Sequence, residues 1–227
     1  KFSLTKLEQV FNYESFKSRI GLKVAQELLI KVCPYCNRNW IPNIIEEDNN
    51  SVRAEYDHFY PKSKYPYLSI SLYNLIPICH SCNLYKGSRI DFLNPYETGY
   101  LSDIVFTRIP KNVDGLINNP REFYIEINVS TNSNRHRIIL NQVEKLKLNK
   151  LYKEFHNNYI SDIIKRSYIY NEDFLAEIYN QYQGTLFSSL EELKAIVFGA
   201  PMQEEDIGNM PLGKLTYDIL NELNGDV

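Results

Sequence analysis

Four cysteines stand in two Cys-x-x-Cys pairs, Cys33/Cys36 and Cys79/Cys82, and the 227 residues contain no others. Thiolates at this spacing supply two ligands each from one tight turn, and four of them complete a tetrahedral zinc shell. Such a shell has no open position, so it would fold the chain and leave catalysis to other residues. A secreted chain could instead pair the cysteines as two disulfides, and Cys33/Cys36 alone could act as a redox pair. In a reducing compartment this spacing favours the metal. Zinc here would pin together two points with 42 residues between them.

Between the pairs lies Asp57-His58, and Asn83 follows the last cysteine directly. Asp57 and Asn83 offer hard oxygen donors, which suit Mg²⁺ or Mn²⁺. His58 titrates near neutral pH and could take a proton from water. A divalent ion beside it would polarise a phosphate and stabilise a leaving oxygen. Neighbours on a strand point to opposite faces, so Asp57 and His58 can share a site only where the strand ends or twists.

Local patterns give the elements that would position these residues. Helices are expected over 4–12 and 15–31, the second with Phe16, Ile20, Val24 and Leu28 in one apolar stripe. Pro34 ends it, and Cys33-Pro34-Tyr35-Cys36 reads as a knuckle. An exposed loop at 43–51 precedes a strand at 52–59 that delivers Asp57-His58. Residues 60–73, with Pro61 and Pro66, read as a long loop. Next come a short strand at 75–78 and a helix from Cys79 to about Ile90. Two alternating runs, 103–108 and 122–130, suit an antiparallel pair, with Phe123, Ile125, Ile127 and Val129 on one face and a loop at 109–120 between them. Helical patterns then cover 135–147, 150–170, 172–183, 188–198 and 212–223, punctuated at Gly184 and at 199–201.

The runs Asp57-His58-Phe59-Tyr60-Pro61-Lys62-Ser63 and Asn74-Leu75-Ile76-Pro77-Ile78-Cys79-His80-Ser81-Cys82-Asn83-Leu84-Tyr85-Lys86 resemble the HNH endonuclease motif. The likeness extends to the subgroup, phage endonuclease VII included, in which two Cys-x-x-Cys pairs bracket the motif. It covers residues 33–87, about a quarter of the chain. The resemblance implies an α+β fold: a ββα-metal HNH core stapled by a four-cysteine zinc site and embedded in a mostly helical domain. It implies His58 as general base and Asn74 as the residue that holds the loop by bonding backbone groups. Asn83 stands in place of the motif's final histidine and, with Asp57, would bind the catalytic Mg²⁺ or Mn²⁺. Lys86 and Lys62 would reach phosphates. The division expected is N-terminal helices at 1–32, the nuclease core at 33–92 and a mostly helical region at 93–227. The whole arrangement, with the Cys33-Pro34-Tyr35-Cys36 knuckle, the Asp57-His58-x-x-Pro61-Lys62-Ser63 run and a helical tail, is similar to HNH subunits of Septu-type bacterial anti-phage defence, which implies an ATPase partner of the ABC/SMC kind.

Each residue also has an ordinary use. Asn74 alone suits a turn, and Asn83 a helix start. His80 reads as a surface or packing residue, His136 and His156 as structural, and Trp40 as a core anchor. The 18 tyrosines accompany abundant Asn, Ile and Lys, as in an AT-rich coding sequence, and most are expected in half-buried core.

The net charge is −3. Residues 1–90 carry 12 basic and 8 acidic groups, 135–166 carry 8 and 3, and 171–206 carry 1 and 8. The basic stretch could follow a phosphate backbone and the acidic one could meet a protein. No apolar run reaches membrane-spanning length and no signal peptide opens the sequence, so a cytosolic protein is expected. The reading is therefore a metal-dependent endonuclease on DNA. The same chemistry on RNA, such as a tRNA, and a non-catalytic zinc-held nucleic-acid-binding or adaptor module are the alternatives.

Overall fold

The computed structural model describes residues 4–44, 54–99, 103–200 and 202–225. Most of the loop expected at 43–51, the start of the strand expected at 52–59 and Pro201 lie outside the described residues. The fold is mixed α and β, with two two-stranded antiparallel sheets among the described residues. The chain forms two compact units, one of residues 1–100 with 137–146 and the other of 101–136 with 147–227.

The first unit opens with α1 (Leu4–Val10) and the short α2 (Tyr13–Phe16), capped by the Asn12 side chain on the Ser15 amide. A π-helical turn, Lys17–Gly21, joins α2 to α3 (Leu22–Glu27). The continuous helix expected over 15–31 is therefore interrupted. A π turn adds a residue and rotates the next helical segment about the axis, so the i, i+4 stripe is broken. Ile20 is 49% exposed, while Gly21 and Ala25 are buried instead. The Gly21 carbonyl accepts from the Tyr56 hydroxyl, and Ala25, Tyr56 and Leu75 form a core with Tyr13 and Phe16 packed on it. Residues 1–32 thus supply part of this unit's core.

β1 (Glu55–His58) pairs with β2 (Leu75–Ile78), Asp57 opposite Ile76 and His58 opposite Leu75. β2 is buried along its whole length. The long loop between the strands holds 3₁₀ turns at Pro66–Leu68 and Leu72–Asn74. α4 (His80–Lys86) comes directly after β2 and ends at Gly87, whose φ of +55° suits glycine. Gln142, wholly buried, accepts from the Leu93 amide, and Asn141 bonds Asp91. These contacts explain why 137–146 belong here and not to a separate tail.

In the second unit β3 (Ile104–Pro110) pairs with β4 (Phe123–Val129), and Phe123, Ile125 and Ile127 are buried as the alternation requires. α5 (Val113–Leu116) occupies part of the expected 109–120 loop. The helical part comprises α6 (His136–Lys145), α7 (Leu148–Phe155), α8 (Asn157–Ile169), α9 (Glu172–Tyr182), α10 (Leu190–Phe198) and α11 (Gly213–Asn224), with α6 mostly in the first unit. The 150–170 helix is broken at His156. Asp218 and Glu222 of α11 accept from the β3 amides of Phe106 and Arg108, and Asn149 of α7 accepts from the β4 amide of Ile127. Both edges of the sheet are thereby covered.

Gly115 lies so close to the Glu122 carbonyl that an added Cβ would stand 2.1 Å from its oxygen. Gly115→Ala is expected to cost about 1–3 kcal/mol, read as a lower urea midpoint for the second unit with the metal content of the chain unchanged.

Candidate functional site

Cys33 and Cys36 sit in a turn set by local bonds: the Cys36 and Asn37 amides both donate to the Cys33 carbonyl, and Asn37 takes a positive φ. The Cys33 amide donates to the Asn39 carbonyl, and Val32 bridges Trp40. Trp40 itself is 53% exposed and so does not anchor the core. Cys79 is the N-cap residue of α4 and Cys82 lies in its first turn. The four sulfurs lie within 4.8 Å of one another. Cys36 Sγ and Cys79 Sγ are 3.9 Å apart, against about 2.0 Å for a disulfide. A tetrahedron of Zn–S bonds of about 2.3 Å spaces its sulfurs by about 3.8 Å. The donor set and its spacing fit a metal ion such as zinc. Asn39 Nδ2 donates to Cys79 Sγ at 3.3 Å, an outer bond of the kind that orients a thiolate ligand. Hydrogen bonds from Cys33, Cys36 and Cys82 hold the Cys79 thiol far below its ordinary pKa, while burial pushes Cys33 up. Among the described residues this is the one cluster of three or more His, Cys, Asp or Glu groups able to hold a metal.

Beside it opens a cleft of about 570 Å³, lined by Glu55, Asp57 and His58 of β1, Asn83 of α4, Gly87, Lys62 and Tyr13. Sequence reasoning places Asp57, His58, Asn83 and Lys62 here, and all four line the cleft. Asn74 lies behind the loop, 2% exposed. Its amide nitrogen donates to the carbonyls of Tyr60 and Leu68, and its oxygen accepts from the Tyr60 amide.

Asp57 is not the open carboxylate that the sequence suggests. It is 2% exposed, accepting from the Tyr35 hydroxyl at 3.0 Å and from the Lys86 ammonium at 3.0 Å. Burial pushes its carboxyl up, and Lys86 and Tyr35 oppose that. Burial likewise pushes the Lys86 ammonium down, against the pull of Asp57. Lys86 is wholly buried and also donates to the carbonyls of His58 and Phe59. The expectation that it reaches a phosphate is corrected: one turn after Asn83 on α4, it points inward because its partner carboxylate lies on the facing strand. Lys62 does stand at the surface. Its ammonium is 3.4 Å from Glu14 and 4.7 Å above the Tyr13 ring.

His58 Nε2 lies 3.0 Å from the Ser69 carbonyl. A carbonyl only accepts, so Nε2 carries a proton, and in the neutral ring Nδ1 keeps its lone pair. Burial pushes the imidazole pKa down, against the Ser69 bond, and the ring meets Tyr13 edge-on at 4.5 Å.

Three participants were not singled out from sequence. Glu55 accepts from Asn83 Nδ2 at 2.7 Å and from exposed His80 Nδ1 at 2.6 Å, bonds that lower its pKa against the effect of burial. Its signal was present: two residues before Asp57, it must share that residue's face of the strand. Tyr35 carried no signal beyond its place in the knuckle. The Ser69 carbonyl, a backbone group, carried none.

No family model, curated protein or solved structure matches the chain. No helix among the described residues is long and apolar enough to cross a membrane.

Two measurements check this site. Metal analysis of the purified chain is expected to give one zinc per chain, with Cys82→Ser losing both metal and thermal stability; an unchanged melting curve after zinc removal would count against a structural role. Lys86→Met is expected to cost about 3–5 kcal/mol by leaving Asp57 charged, buried and without its cation, and adding Asp57→Asn should recover much of the loss in urea denaturation.

Proposed function

We propose that the cleft hydrolyses phosphodiester bonds of nucleic acid, DNA in the first instance, with His58 as the general base. The observation that carries this reading is the Ser69 carbonyl on His58 Nε2, which commits the ring to the tautomer with a basic Nδ1 in a cleft that also holds Glu55, Asp57 and Asn83. Nδ1 accepts a proton from the attacking water. The bond to Ser69 fixes the ring plane, and the edge of Tyr13 limits its rotation.

The donor set suits a divalent ion such as Mg²⁺ or Mn²⁺. Glu55 and Asp57 supply carboxylates, each oxygen keeping a lone pair beyond its present bond. Asn83 turns its nitrogen to Glu55, which leaves its carbonyl oxygen as a hard donor. A cation held by these groups would polarise the scissile phosphate and stabilise the leaving oxygen. Lys62, at the rim, supplies a positive charge to the substrate backbone. The structural ion of the neighbouring cluster would be zinc. The reading extends, by the sequence resemblance, to an effector nuclease of anti-phage defence acting with an ABC/SMC-type ATPase.

One observation favours a second reading, a non-catalytic nucleic-acid-binding module: the buried Asp57–Lys86 pair is complete without any added cation. His58→Ala separates the two. On the nuclease reading it lowers cleavage of plasmid, single-stranded DNA or tRNA by about 10²-fold or more, with circular dichroism and zinc content unchanged. Equal activity in wild type and variant, with and without the ATPase, would remove His58 from the chemistry. The base acts when unprotonated and burial lowers its pKa. Cleavage is therefore expected to rise with pH through an acid limb below the ordinary imidazole value of about 6.5 and to be flat at neutral pH.

A further inference from the structure

The loop between β1 and β2 carries four tyrosines, Tyr60, Tyr65, Tyr67 and Tyr73. Tyrosines of a half-buried core would have their rings covered, yet Tyr73 is 83% exposed, Tyr67 50% and Tyr60 39%. The rings run edge to face from Phe59 through Tyr60 and Tyr65 to Tyr67, with centroids 5.1, 5.4 and 6.3 Å apart. This packing holds the rings against one another while leaving much of their surface in water. Tyr60 and Tyr73, with Tyr96, also line a cavity of about 350 Å³ that presents Asn94 and Glu97 as polar groups.

The loop is built to keep that arrangement. Asn74 pins it to Tyr60 and Leu68, and the Ser69 hydroxyl donates to the Phe11 carbonyl. Residues 60–74 contain Lys62 and Lys64 and no acidic residue. Tyr60 lies two residues after His58, so their Cα atoms are at most about 7 Å apart. Exposed rings with cations interleaved, held rigid beside a cleft, are what a flexible polyanion with flat, unstacked bases requires. Paired bases are stacked on one another and present only their edges, so a duplex cannot use such a surface.

We propose that this loop is a stacking platform for unpaired nucleotides, and that the strand entering the cleft is single-stranded. The rings read the base and not the sugar, so DNA and RNA share the chemistry. The inference deepens the nuclease reading, but its test measures binding and not cleavage. The zinc-loaded chain of 227 residues carrying His58→Ala is titrated by fluorescence anisotropy, at one fixed salt concentration, with labelled oligo-dT, oligo-U and duplex DNA of about 20 nucleotides. At least one single strand is expected to bind about tenfold or more tighter than the duplex, and the dT and U arms show which sugar is preferred. Tyr67→Ala with Tyr73→Ala is expected to weaken single-strand binding roughly 5- to 150-fold per stacked base lost and to leave duplex binding unchanged. Tyr67→Phe with Tyr73→Phe keeps the rings and should keep the affinity; unchanged circular dichroism and zinc content show that the alanine pair still folds. Duplex binding as tight as single-strand binding, or an alanine pair within about twofold of its parent, overturns the platform. If His58→Ala instead fails to lower cleavage of single-stranded DNA or tRNA, the catalytic reading falls and the binding result stands.

Discussion

The four-sulfur cluster is the constraint on which the rest of the first unit depends. Cys36 and Cys79 are 43 positions apart in sequence and 3.9 Å apart at sulfur. Closing so long a loop costs entropy that the short sheet of β1 and β2 cannot supply alone. Four thiolates sharing one metal ion would offset that cost. The clamp also sets orientation. Tyr35 lies between Cys33 and Cys36, and its hydroxyl reaches Asp57. Cys79 starts α4 and Cys82 lies in its first turn, so Asn83 and Lys86 are aimed at β1 by the same four sulfurs.

β1 then divides the work between its faces. Glu55 and Asp57 turn toward α4, where Asn83 and Lys86 meet them. Tyr56 and His58 turn the other way, toward the Gly21 carbonyl and the Ser69 carbonyl. Adjacent residues on a strand diverge, and the cleft gathers both sets because β1 ends at His58. An acid-rich face and a basic imidazole are thus brought to one opening without touching each other, so no direct carboxylate contact favours the protonated ring over the basic one.

How far the sequence could be read depends on the range of the interaction. β2 was legible to the residue as a short continuous apolar run, and the β3–β4 pair nearly so from its period-two alternation, because both are local patterns. The cysteine cluster was legible because ligand spacing is itself local chemistry. The π turn at Lys17–Gly21 was not, since the residues fit an ordinary helix and only packing of Gly21 against Tyr56 reveals the shift in phase. The inward turn of Lys86 was hidden for the same reason: a lysine on a short helix reads as a surface cation until a carboxylate 29 positions away is placed opposite it. The return of residues 137–146 to the first unit rests on Gln142 and Asn141 bonding a segment some 50 positions earlier, and no local pattern carries that.

The buried Asp57–Lys86 pair is best understood as a positioning device. Removing two charges from water costs several kcal/mol per ion, and their attraction seldom returns more than that. Stability alone therefore gives little reason to keep it where an apolar pair would pack. Lys86, however, has three N–H groups, and they reach Asp57 and the carbonyls of His58 and Phe59. The ammonium thereby fixes the backbone at the end of β1, from which the imidazole projects. Asp57 holds the ammonium there, and Tyr35 ties Asp57 to the cysteine turn. A chain of contacts thus leads from the sulfur cluster through Tyr35, Asp57 and Lys86 to the main chain of His58, with the Ser69 carbonyl fixing the ring from the far side. An apolar replacement could fill the same volume, but it could not hold those two carbonyls.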